Sequence, residues 1–234
     1  MSRLVCSALS LSLLSSAAVA QSSWREHLDV SRIAARRDSF VLLARGNANG
    51  FDRMSVEADG KAWRLSDEIS LNGLGSQKST IRFSHTLVEE ALRQEGKFGT
   101  MDMRITLDRG NGRFTGSALT PTGGPNPVAM DVPVTDDVID DNAVVQVLPF
   151  IKWREGLSVT IPVFTSGKGT VVSQVATVTG RGTTQVPAGA FDTWRLAVSE
   201  NGRTWLTAEV STTAPYRVVR LGQGGGGMDL QLAK

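Results

Sequence analysis

Two histidines, His27 and His85, and the acidic groups Glu89-Glu90 and Asp136, Asp137, Asp140 and Asp141 are the residues whose types could do chemistry here. A histidine becomes a catalytic base when a nucleophile or a carboxylate lies within hydrogen-bond reach. Ser84 precedes His85, but adjacent side chains on a strand point to opposite faces, so this is not a nucleophile–base pair. Neither a Gly-x-Ser-x-Gly elbow nor a His-Glu-x-x-His pattern occurs. The aspartates offer hard oxygen ligands for Ca²⁺, yet they lack the Asp-x-Asp-x-Asp-Gly spacing that arranges ligands around one ion. Capping of a helix N-terminus is their expected role. "VEEAL" and "DDVIDD" also contain the paired carboxylates of glycoside hydrolysis, as any charged strand protein would. "GQGGGG" (222–227) is followed by a strand-like Met228–Leu232, so it lacks the helix start that makes a glycine-rich loop cradle phosphate. No catalytic residue, metal or cofactor is assigned.

The start of the chain speaks to location. Met1-Ser2-Arg3, an apolar stretch to Leu14, and Ala18-Val19-Ala20 before Gln21 have the form of a secretory leader cleaved after Ala20. Cys6, the sole cysteine, leaves with it, so the mature chain is expected to have neither disulfide nor thiolate. No later run is long enough for a transmembrane segment. The expected location is periplasmic or secreted. The formal charge of +2 is spread over mixed signs, which argues against nucleic acid as a partner.

These features must be carried by strands. The 24 glycines against 8 prolines imply many tight turns. Ser23-x-x-Glu26 has the form of a capping box, giving residues 21–37 as an extension with a short helix from Trp24 to about Ala35. Strand-like runs then follow from 38 to 234, one β-rich domain with a low-complexity loop at 120–127 between two blocks. Asp59-Gly60, Asn111-Gly112 and Asn201-Gly202 suit two-residue hairpin turns. "LVEEALRQE" (87–95) is placed as a strand although its composition is equally helical. Asp140-Asp141-Asn142, with Ala143, Val147 and Ile151 at helical spacing, predict a short apolar helix over 141–153 that Pro149 ends or kinks.

The run "VPAGAFDTWRLAVSENGRTWLTAEVSTTAPYRVVRL" carries a resemblance. Val186-Pro187-Ala188-Gly189, Phe191, and Ala214-Pro215 ahead of Tyr216–Leu221 resemble the bacterial family "domain of unknown function 3108", over about the last hundred residues and more loosely over the first strands. The resemblance implies an exported β-rich envelope protein, akin to half-open barrels that carry lipids or lipoproteins. It implies no activity.

The expected fold is all-β: a large curved antiparallel sheet or open half barrel built from hairpins, with one short helix packed on it. A sheet of this size curls to protect its edges, and curling makes a concavity. The expected function is non-catalytic binding of a lipid or other apolar small molecule, with Val147, Phe150 and Trp153 as lining residues unless they fill the core. The alternatives are a scaffold for an envelope protein complex, and an exported hydrolase in which a histidine meets a carboxylate.

Overall fold

Alternation of apolar and polar residues decides the architecture, because each strand has one face to bury. The computed structural model describes residues 22–121, 124 and 126–234. The expected leader at 1–20 lies outside them. The first block comprises β1 (Ser22–Ser23), β2 (Arg36–Ala44), β3 (Asn47–Asp59), β4 (Ala62–Leu71), β5 (Gly75–Ser84), β6 (Glu89–Phe98), β7 (Met101–Gly110), β8 (Arg113–Leu119) and β9 (Val128–Pro133). After β10 (Ile139–Asp140) and the helix α1 (Val144–Val147) come β11 (Ser158–Thr165), β12 (Thr170–Val186), β13 (Gly189–Glu200), β14 (Arg203–Ser211), β15 (Val218–Gln223) and β16 (Met228–Leu232). The run at 87–95 does enter a strand, β6.

All of these strands join one curved sheet, in the order β1, β11 to β16, then β2 to β9, with β10 beside β11. The two blocks are joined where β16 pairs with β2, Leu232 opposite Phe40 and Leu230 opposite Leu42. The outer face of the first block carries a charge ladder, in which Arg53, Glu68, Lys78, Glu95 and Arg104 stand directly opposite one another in turn. Opposite charges in such pairs favour this register over a slip.

The sheet stays open, since β9 and β11 are not hydrogen-bonded to each other. Side chains close the seam instead. Phe114 of β8 meets Phe164 of β11 with ring centroids 5.1 Å apart. The segment 134–151 fills the gap, with β10 parallel to β11 and Trp24 donating from Nε1 to the Asp137 carbonyl at 2.9 Å. One core results, running from Phe40 and Leu65 through Val147, Phe150 and Ile161 to Leu196 and Val210.

Three local expectations need correction. The helix over 141–153 is one α-turn, Val144–Val147, followed by a 3-10 turn over Leu148–Phe150. β-Branched valines weaken a helix, and Pro149 cannot donate within it. Asp140, Asp141 and Asn142 do not cap it, because its N-cap is Ala143, with no side-chain hydrogen bond. The expected helix from Trp24 is two 3-10 turns, Trp24–His27 and Val30–Arg32. Finally, Asn111-Gly112 and Asn201-Gly202 take positive φ at both positions, whereas in the first hairpin only Gly60 does, and Gly60-Lys61 make the turn.

Gly116 marks where strands approach too closely for a side chain. Its φ is +149°, and a Cβ there would lie 1.9 Å from the Thr106 carbonyl oxygen. Gly116→Ala is expected to cost about 3 kcal/mol, through strain and a forced shift of β7. Urea unfolding would measure it; a loss under about 0.5 kcal/mol would mean that the sheet relaxes there freely.

Candidate functional site

The inner face of β3 to β7 is built from rows of directly opposed residues. The deepest, Val56, Leu65, Ile81, Leu92 and Leu107, is apolar and buried. The next row is Met54, Asp67, Ser79, Gln94 and Ile105, and the one beyond it is Asp52, Ile69, Gln77, Gly96 and Met103. The last is Gly50, Leu71, Gly75, Phe98 and Met101. Ile69, Leu71, Phe98 and Met103 are only half-buried, and Met101 is 50% exposed. A polar belt therefore lies between an apolar core and an apolar rim that opens to solvent.

Asn142 fastens the belt to the segment that fills the seam. Its Oδ1 accepts from Gln94 Nε2 at 2.9 Å and Gln77 Nε2 at 3.2 Å. Its Nδ2 donates to Asp140 Oδ1 at 2.6 Å and Asp141 Oδ1 at 3.2 Å. Both lone pairs and both donors of the amide are thus used. Asn142→Ala would remove four side-chain hydrogen bonds, two of them to the buried Gln94 and Asp140, and is expected to cost about 3 kcal/mol. Chemical denaturation checks this, and a loss below about 1 kcal/mol would show that water already serves the belt.

Among the described residues, other belt atoms have no partner: Asp52 Oδ1, Ser79 Oγ and Gln94 Oε1, on residues 2%, 1% and 6% exposed; both amide atoms of Gln146 in α1, 2% exposed, are likewise unpartnered. Burial pushes Asp67 up to about 7. Burial, and then the neighbouring charge of Asp67, hold Asp52 well above the usual carboxylate range, with the Arg53 N–H partly offsetting. Deeper in, Glu89 accepts from the Asp140 backbone N–H at 2.6 Å, and burial raises it to about 8 although that bond and Arg109 oppose the shift. Asp140 rises by burial and then by its neighbours Asp141 and Glu89.

The sequence-nominated residues fall elsewhere. Val147 and Phe150 are fully buried and Trp153 is 6% exposed, all within the apolar core, where Trp153 Nε1 donates to the Leu148 carbonyl at 2.8 Å. His27 Nε2 lies 2.8 Å from Ser22 Oγ, and His85 is exposed; among the described residues neither meets a carboxylate, as the hydrolase reading required. No cluster of three or more His, Cys, Asp or Glu residues arranged to hold a metal occurs among the described residues. Glu89, a generic carboxylate in the sequence, and Asp140, expected as a helix cap, are buried members of the interior. Asp52, Asp67, Ser79, Gln94 and Gln146 were missed. Their signal is parity: Asp52 alternates with Met54 and Val56, and Asp67 with Leu65 and Ile69, so a polar side chain stands where the buried face expects an apolar one.

Fold and site together define an open, curled β-sheet protein whose concavity has a polar belt and an apolar rim. The chain belongs to the family described as "Protein of unknown function (DUF3108)", matched over residues 40–229. The match takes in most of the first block as well as the C-terminal strands that carried the resemblance. Among solved structures, a beta-barrel-like protein of domain of unknown function DUF1849 from Brucella abortus is similar in fold, with a TM-score of 0.56 at 11% identity, covering 87% of this chain and 97% of that one. No curated protein matches the chain. No helix among the described residues is long and apolar enough to cross a membrane.

Proposed function

We propose that this is an exported envelope protein that holds a lipid or other hydrophobic ligand in the concavity of its sheet and does not transform it. The carrying observation is the apolar rim: Ile69, Leu71, Phe98, Met101 and Met103 sit on the inner face yet stay in contact with solvent. A protein that needed only stability would bury these side chains, each worth about 2 kcal/mol when removed from water. The leader-like start supports export. In this reading Val147, Phe150 and Trp153 are the packed floor of the concavity, and the rim residues touch the ligand.

Native mass spectrometry of the mature protein, purified gently from its own periplasm, tests the proposal. An added mass that leaves on denaturation and extracts as an apolar molecule supports the carrier reading. A bare chain that co-purifies with an envelope protein would replace it with the scaffold role, and failure to find the protein in the periplasm would refute export.

A further inference from the structure

We infer that the polar belt is a head-group site for a primary ammonium borne on an apolar chain, with Asp52 and Asp67 as its counter-ions, an inference that rests on the carrier reading. Asp67 stands opposite Met54, two residues along β3 from Asp52, so the two residues are diagonal neighbours on one face, their Cα atoms about 7 Å apart. At that spacing one small cation between the side chains comes within ion-pair reach of both. Among the described residues neither has an ion-pair partner. The inner-face cations lie elsewhere and are engaged: Arg36 and Arg217 by Asp38 at 2.9 and 3.1 Å, and Arg109 by Asp136 at 3.0 Å. From the belt to the rim, the rows of β3 to β7 contain no lysine or arginine.

The hydrogen-bonding chemistry points the same way. Among the described residues, Asp52 Oδ1 and Gln94 Oε1 are buried acceptors without donors, and Ser79 Oγ can also accept. An ammonium brings three donors and no acceptor, which is the complement of that set. A carboxylate or phosphate head would face two carboxylates with only the Ser79 hydroxyl to meet it. A hydroxyl head supplies one donor and relieves no charge. A quaternary ammonium has no N–H donor and is held by aromatic walls, whereas the belt rows here carry no aromatic residue. The half-buried Ile69, Leu71, Phe98 and Met103 lie next to the belt on the open side and take the chain attached to the head.

The test is calorimetric titration at pH 8 with decylammonium, decan-1-ol, decanoate and butylammonium, each kept monomeric. Decylammonium should bind at least about tenfold tighter than decan-1-ol or decanoate. The Asp52→Asn/Asp67→Asn double variant should lose that preference and keep its affinity for decan-1-ol. Equal affinity for the three decyl probes, or a preference for decanoate, overturns the head-group inference and leaves the carrier reading standing. Butylammonium binding as tightly as decylammonium upholds the head-group site and removes the carrier reading. Binding of no probe overturns both. Should the double variant not fold, wild-type protein decides: the decylammonium preference must grow from pH 5.5 to 8 as Asp67, raised to about 7, ionises, with Asp52, Glu89, Asp140 and Asp141 the other interior acids in play. A preference constant over that range overturns the inference.

Discussion

Raising the pH from 5 to 8 is expected to destabilise this protein, lowering its melting temperature by more than about 10 °C. Folding raises Asp67 from 3.8 to about 7 and Glu89 from 4.5 to about 8, and it raises Asp52 and Asp140 as well. Across that interval the native state holds protons that the unfolded chain releases. The contribution is therefore complete below the ordinary carboxylate range, and it drains by about 1.4 kcal/mol per pH unit for each such group until the folded value is passed. Asp29, Asp131 and Asp229 are shifted downward, and their contribution is lost only as the pH falls below the ordinary range, outside this window. Melts at pH 5, 6.5 and 8 measure the slope, and Glu89→Gln should flatten it, because a neutral amide can still accept from the Asp140 N–H. A melting temperature that is constant or rises over this range would mean that the interior carboxylates are solvated.

The second large effect is expected at the seam. Trp24→Ala should cost about 4 kcal/mol, the usual loss for deleting a fully buried tryptophan. Trp24 has no exposed surface, and its indole bonds the Asp137 carbonyl across 113 positions of sequence. The neighbouring Arg25 donates to the Thr86, Leu87 and Asp136 carbonyls at 2.7, 2.7 and 2.5 Å, and Leu28 bridges Ile151. Residues 22–28 thus pin the β5–β6 turn and the seam-filling segment together where the strands themselves do not pair. Trp24→Phe should cost only about 1–2 kcal/mol, the share of the indole hydrogen bond and the lost volume. Unfolding in guanidinium would separate the two variants. A Trp24→Ala loss below about 2 kcal/mol would show that the seam holds without the N-terminal segment.

The strands were legible because their signal is local. Phe51–Ala58 and Phe191–Ser199 alternate with a period of two, and Asn111-Gly112 and Asn201-Gly202 supply the positive φ that two-residue turns need. The C-terminal motif was enough to indicate the family. The candidate site was half legible. Asp52 and Asp67 sit at the parity of buried residues, a conflict visible in the sequence, but parity does not tell which acidic residue faces a belt and which faces water until the register is known. The helix over 141–153 was overread for a related reason: Asp140-Asp141-Asn142 has the composition of a helix cap, yet these residues are claimed by partners such as Glu89 and Gln94, 51 and 48 positions away.

The sequence by itself determined that this is an all-β chain of hairpins with a near-neutral charge. These properties follow from periodicity, turn chemistry and charge, each read within a few residues. Only the tertiary structure decided that β16 closes onto β2, that the sheet remains open between β9 and β11, and that Asn142 meets Gln77 and Gln94. Those contacts join residues far apart in the chain, and their stability depends on burying one continuous core, a quantity that no local stretch of sequence contains.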